Sequence, residues 1–155
     1  MSTDTLTSRI SHPAFTVPGA MDALQALGEA SKQTTVPETT LYMVHLRASQ
    51  INGCGVCVDM HTRELKRAGE QDRRIYGVAA WREMPWFSDA ERAALALTEE
   101  GTRVADRGEV VSDEVWEEAA RHYDEAELSV LVLNIAQINL WNRLNAITRQ
   151  IAGKF

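Results

Sequence analysis

The run from Asp124 to Ala152 most limits what this chain can fold into. Leu128, Leu131, Val132, Ile135, Ile138 and Leu144 recur along it at helical spacing. Asn134, Asn139, Asn142 and Asn145 interrupt the stripe. Buried amides need partners, so these four are expected to bond across to other helices or to other subunits. A long helix that is apolar on one face and carries amides there suits the centre of a bundle. Nothing else in the chain offers it a sheet: there is no strand alternation, no hairpin dipeptide between β-rich runs, no glycine-rich phosphate loop and no internal repeat. The fold class expected is therefore all-α, a bundle of about six to seven helices.

The remaining helices follow from periodicity and caps. The first spans Pro18 to Ser31, with Met21, Leu24 and Leu27 on one face and Pro18 in its first turn. The second spans Pro37 to Gln50, with Leu41, Val44 and Ala48 inward. A third runs from Gly55 to Ala68 and is closed by Gly69. The fourth, Glu70 to Arg82, is broken by Pro85. Ser88-Asp89-Ala90-Glu91 is a capping box for a fifth, running to about Asp106, and Ser112 caps a sixth that ends near His122. Residues 1–12 are polar and unpatterned and are expected to form a flexible arm. All 155 residues are assigned to one domain, long enough to bury a sizeable core.

Charge and composition narrow the partners. Sixteen basic against 22 acidic residues give a net charge of −6, which disfavours nucleic acid and anionic membranes as partners. No apolar run approaches the roughly 18 residues needed to span a bilayer. The first residues, Met1-Ser2-Thr3-Asp4-Thr5, lack the pattern of a signal peptide. Only two cysteines occur, which points to a reducing cytoplasm and to chemical use of the pair.

Those cysteines are Cys54 and Cys57, in Cys-x-x-Cys spacing after the turn signal Asn52-Gly53, and His61 follows four residues later. The pair falls at the start of the third helix. There, unsatisfied N–H groups and the positive end of the macrodipole favour a thiolate. At roughly 100° per residue the two sulfurs and the imidazole share one face. One sulfur can attack, the other resolve, and the imidazole can carry the proton. Two other readings stand beside this one. Structural zinc would need a fourth ligand, such as Asp59 or His45. Alternatively, the cysteines simply pack as small residues. Asp59 points to another face and suits a first-turn charge, and His45 reads as packed or solvated. Trp81, Trp86 and Phe87 read as core or oligomer packing, or else as one wall of an apolar pocket.

The run Leu46-Arg47-Ala48-Ser49-Gln50-Ile51-Asn52-Gly53-Cys54, followed by Cys57-Val58-Asp59-Met60-His61-Thr62, resembles the AhpD-like alkylhydroperoxidase group of the carboxymuconolactone decarboxylase superfamily. Ala68-Gly69-Glu70, Ala80-Trp81-Arg82-Glu83, Glu91-Arg92-Ala93-Ala94-Leu95 and Asn139-Leu140-Trp141-Asn142-Arg143 extend the resemblance over about Thr35 to Arg149. It implies an all-α homo-oligomer, commonly a trimer or hexamer. It also implies hydroperoxide reduction with no resident cofactor, the pair being reset by an external dithiol or a protein electron donor. Carried over, Cys57 matches the peroxide-attacking cysteine, Cys54 the resolving one and His61 the relay histidine. Helix-end electrostatics alone would favour Cys54 as the more acidic thiol; Cys57 is preferred because it also lies one turn from His61. The family often has a glutamate twelve residues before the first cysteine, and here Tyr42 stands there. A phenol is a poor base at neutral pH, so the relay is expected to run through Glu38, one turn earlier, or Glu83. A protein disulfide reductase or redox sensor is the alternative function, with a metal-binding oligomeric module behind it. Lactone decarboxylation uses no cysteine pair and ranks lowest.

Overall fold

The computed structural model describes residues 6–105 and 107–154. Among these residues it holds eight α-helices and no strand: α1 (Pro13–Thr16), α2 (Ala20–Ala30), α3 (Glu38–Asn52), α4 (Gly55–Arg67), α5 (Asp72–Gly77), α6 (Asp89–Thr102), α7 (Asp113–His122) and α8 (Glu125–Thr148), with a 3-10 segment, Val78–Glu83, after α5. The all-α bundle is as expected.

Helix α8 occupies the middle. Its buried face carries Leu128, Leu131, Ile135 and Ile138, and with them Asn134, Asn139, Asn142 and Asn145. Each amide finds its partner within the chain. Asn134 Nδ2 donates to the Ser31 carbonyl, Asn139 Nδ2 to Thr102 Oγ1, and Asn142 Nδ2 to Ser49 Oγ. Asn52 Nδ2 in turn donates to both Asn139 Oδ1 and Asn142 Oδ1, at 2.9 Å each. A buried amide left unpaired costs about 1–3 kcal/mol, so this ladder fixes the C-terminal end of α3 against one register of α8.

Apolar packing divides around α3. Leu41 and Val44 join Ala94 and Leu97 of α6 and Leu128, Leu131 and Ile135 of α8. On its other side Met43 and Leu46 meet Leu65, Ile75, Val78, Trp81, Phe87 and Leu95. A third, smaller cluster holds Ala48, Cys54, Cys57 and Ile138.

Several element bounds depart from the sequence expectation. The fourth helix is α-helical only to Gly77. It then tightens into the 3-10 segment, where Ala80 leaves helical space at φ −131° and ψ 35°. Helix α6 stops at Thr102, and Asp106, its expected end, lies outside the described residues. Helix α8 ends at Thr148, where Arg149 turns left-handed at φ 54°. A single turn, α1, precedes the first expected helix; it is too short for periodicity to show. Of the arm expected over residues 1–12, residues 1–5 lie outside the described residues. Its far end is anchored: the Arg9 N–H donates to the Thr148 carbonyl, Gln150 Nε2 to the Ile10 carbonyl, and His12 is buried as the N-cap of α1.

Candidate active site

Helix α3 delivers the cysteine turn. Gly53 ends it in a left-handed conformation, φ 67°, which a residue with a Cβ adopts only at a cost. The chain reverses there, and Cys54 becomes the N-cap of α4. Its Sγ takes the place of the usual capping oxygen and accepts from the Cys57 N–H at 3.3 Å. The expectation of a Cys-x-x-Cys at a helix N-terminus is met. The two sulfurs are joined, with Cα atoms 5.4 Å apart. Cys57 is fully buried, and its Sγ accepts from Asn145 Nδ2 of α8 at 3.4 Å.

One turn after Cys57, His61 is also buried. Its Nδ1 donates to Glu64 Oε2 at 2.6 Å. A carboxylate can only accept, so this bond puts a proton on Nδ1, and in the neutral ring it leaves Nε2 bare. Nε2 is shielded from water and has no hydrogen-bond partner. The arrangement orients an imidazole as a proton acceptor toward its neighbours.

A second imidazole lies against it. The His45 and His61 rings are 4.8 Å apart between centroids, at 53° to one another. His45 Nε2 is 2.8 Å from Asn134 Oδ1. Asn134 Nδ2 is committed to the carbonyls of Ser31 and Val130, so its Oδ1 can only accept. His45 therefore carries its proton on Nε2, and its Nδ1 is bare, shielded and unpartnered. Burial first, then the neighbouring His61, holds this imidazole far below its ordinary value, at about 3. His45 is neutral throughout the physiological range.

Both rings line a cavity of about 720 Å³. Phe15, Met21, Leu24, Met60, Ile138 and Trp141 make its walls largely apolar. Neither cysteine lines it; Val56 and Ile138, which pack with the cysteines, and Asn145, which donates to Cys57 Sγ, are part of its lining. The aromatic wall drawn from Trp81, Trp86 and Phe87 is not there. Trp81 and Phe87 are buried in the core beside Leu46 and Leu65, and Trp86 stacks under Arg73 at the surface.

The candidate relay groups separate. Tyr42 lines the cavity, and its hydroxyl donates to Glu38 Oε1 at 2.6 Å. Burial and then that carboxylate push the phenol well above its ordinary value, so it is no base. Glu38 is spent on this bond and does not line the cavity. Glu83 is exposed on the 3-10 segment and is not brought to the site. The carboxylate on the relay histidine is Glu64, which the sequence reading passed over. Its signal was present: three residues after His61, it shares a helical face with it. Asn145 and His45 meet the site across the bundle, which local spacing cannot reveal. Asp59 is half-buried, lines the cavity and pairs with Arg63 at 2.7 Å, past the first turn of α4.

Comparison with known proteins identifies the family and the fold. The profile of the Carboxymuconolactone decarboxylase family matches residues 18–100. The uncharacterized protein YdfG of Bacillus subtilis is 38% identical over 138 residues, 88% of this chain and 92% of its own length. A crystal structure from Agrobacterium tumefaciens superposes with a TM-score of 0.88 at 31% identity, covering 96% of this chain and 100% of the other. That protein is of unknown function, with an antioxidant defence role of the AhpD type suggested for it. The debrominase Bmp8 has the same fold, with a TM-score of 0.79 at 20% identity over 88% of this chain and 73% of its own.

Proposed function

The chain belongs to the carboxymuconolactone decarboxylase family, and from that premise we propose that it is a thiol-dependent peroxidase of the AhpD-like kind. The observation that carries this reading is the Cys54–Cys57 pair at the N-terminus of α4, one turn from a carboxylate-backed imidazole with a bare nitrogen.

In the reduced protein the Cys57 thiol gives its proton to His61 Nε2. The thiolate attacks the terminal oxygen of a hydroperoxide, the O–O bond breaks, and Cys57 becomes a sulfenic acid. The alkoxide takes the proton back from His61 and leaves as an alcohol. Cys54, stabilised as a thiolate by the helix end, attacks the Cys57 sulfur and displaces hydroxide, which takes up the proton the Cys54 thiol gave up and leaves as water, giving the disulfide. An external dithiol, a small molecule or a protein donor, returns two electrons and two protons. The balance is one hydroperoxide and one dithiol in, one alcohol, one water and one disulfide out. No resident cofactor or metal takes part in this reading; the cysteine pair and His61 serve chemistry instead.

Burial of both sulfurs favours a small oxidant over a protein disulfide as the substrate. The thiol cycle needs a reducing compartment, and we place the protein in the cytoplasm. No helix among the described residues is long and apolar enough to cross a membrane. The homo-oligomer, a trimer or hexamer, belongs to the same reading; the exposed Trp116 of α7 and Val132 of α8 give it an apolar face to cover.

The test is hydroperoxide consumption in the presence of a dithiol donor. Cys57→Ser is expected to abolish turnover. Wild-type rates in that variant, or no turnover by the unaltered protein with any hydroperoxide, would overturn the reading.

A further inference from the structure

We infer that His12, from the N-terminal arm, is a positioning residue for Cys57: its imidazole N–H anchors the Asn145 amide, and that amide aims an N–H at the Cys57 sulfur. The inference takes from the peroxidase reading only that Cys57 works as a thiolate. The family profile begins at residue 18, so family membership assigns no role to His12.

The fold brings the three groups together. The arm lies against the C-terminal end of α8. The Arg9 N–H donates to the Thr148 carbonyl at 2.8 Å, the Arg9 guanidinium to the Ile147 carbonyl at 3.1 Å, and Gln150 Nε2 to the Ile10 carbonyl at 3.1 Å. His12 follows, only 6% exposed, with its ring centroid 5.8 Å from that of Trp141. His12 and Asn145 both line the cavity, and their side chains are hydrogen-bonded to one another.

The direction of that bond follows from what each group has left to offer. His12 Nδ1 accepts from the Ala14 N–H at 3.1 Å as the N-cap of α1. In a neutral imidazole the other nitrogen then carries the proton, so Nε2 is the donor. Burial holds His12 below its ordinary value and keeps the ring neutral, while the bond to Asn145 acts the other way, as a bond donated by the imidazole must. Asn145 has committed both hydrogens of Nδ2, one to the Trp141 carbonyl at 3.0 Å and one to Cys57 Sγ at 3.4 Å. Its Oδ1 remains to accept from His12.

Two anchors at opposite ends of the amide fix its plane. Trp141 holds Nδ2 from within α8, and His12 holds Oδ1 from the arm. The second N–H of Nδ2 is thereby directed at the sulfur, where it favours a thiolate over a thiol. Without His12 the amide turns about χ2, a soft torsion in asparagine, and the N–H loses its aim.

Two substitutions separate capping from positioning. His12→Asn keeps an oxygen for the Ala14 N–H, since asparagine is a favoured N-cap, but is too short to reach Asn145. His12→Gln carries an N–H to about the position of Nε2 and gives up the cap. Each is combined with Cys54→Ser, which leaves Cys57 the only thiol and keeps a favoured N-cap on α4. The reduced protein is alkylated with iodoacetamide across a pH series. The plateau rate reports access to the buried sulfur, and the midpoint reports its ionisation. His12→Asn is expected to raise the midpoint by about 0.5 pH unit, a loss of roughly threefold in rate at neutral pH. His12→Gln should leave the midpoint in place. In an Asn145→Ala background His12→Asn should move it no further. A change of plateau alone would make His12 a structural cap and overturn the inference, as would a midpoint shift that persists without Asn145. Nitrogen NMR of the unaltered protein gives a second test that needs no variant to fold. A slowly exchanging His12 Nε2 proton close to the Asn145 side chain is expected; a proton on Nδ1, or one that exchanges freely, would overturn the inference. If the midpoint moves as expected while the unaltered protein consumes no hydroperoxide, the peroxidase reading fails alone.

Discussion

Two buried polar clusters flank α3, and they are built on opposite principles. On one side Glu99 of α6 is a hub. Arg47 Nε donates to it at 2.8 Å, Trp81 Nε1 at 3.0 Å, and Arg82 adds an ion pair. Burial alone would raise this carboxyl, but the hydrogen bonds from Arg82, Trp81 and Arg47 win and hold it below its ordinary value. Every strong group there is answered. On the other side His45 and His61 each leave a ring nitrogen unanswered beside an apolar cavity. A satisfied cluster resists change and holds helices in register. An unsatisfied one has capacity left, and the cysteine pair lies on that side.

The sharpest way to break this comparison is to remove the bare nitrogen from the second cluster. His61→Gln is expected to lower peroxide turnover by roughly 10²–10³-fold with little change in melting temperature. Steady-state rates beside a thermal scan check both halves. An equal loss of stability would make the imidazole a structural group like Glu99.

The mirror experiment acts on the hub. Glu99→Leu leaves the Trp81 N–H without its acceptor and Arg47 without its carboxylate. Breaking such a pair costs about 3 kcal/mol, which lowers Tm by roughly 6–12 °C in a chain of this size. Turnover per folded molecule should not change.

Acid separates the clusters more finely. His45 is held at about 3, against about 6.5 in the unfolded chain. Between those values the unfolded state binds a proton that the folded state refuses, so stability falls as pH drops through that window. Glu99 is depressed from the ordinary carboxylate value. Its contribution is present above about pH 4 and is lost as pH falls through its lower folded value. Unfolding free energies followed from pH 7 downward should show both losses. His45→Gln should remove the upper part of the slope only, and Glu99→Gln the lower part only.

The smallest effect expected is at Asn145, whose Nδ2 donates to the Cys57 sulfur at 3.4 Å. Asn145→Ala should slow Cys57 alkylation by roughly 3–10-fold, because one donor to the thiolate is gone. An unchanged alkylation rate would assign that amide to helix packing, through its bond to the Trp141 carbonyl.

What could be read in the sequence tracks the range of the forces. The capping box at Ser88 and the stripe of α8 act within a turn or two; the box appears as expected, and of the stripe Leu128, Leu131, Ile135 and Ile138 are buried while Val132 is exposed and Leu144 half-buried. The cysteine turn is similarly local, set by Gly53 and the helix behind it. The break at Ala80 is not local in this sense, since Gly77 packs against Met84, Trp86 and Phe87 beyond the bend. The relay shows the same division. His61 was visible from its spacing to Cys57. Glu38 and Glu83 were proposed from proximity along the chain, but one is bonded to Tyr42 and the other faces solvent. His45 reads in the sequence as packed or solvated; its bare nitrogen depends on Asn134, 89 residues away.

The most direct test of the whole account is a single turnover without any electron donor. Fully reduced protein mixed with one equivalent of an organic hydroperoxide should consume that equivalent, lose both thiols and form the Cys54–Cys57 disulfide, while Cys57→Ser consumes none. Persistence of both thiols in the unaltered protein, with the hydroperoxide intact, would contradict it.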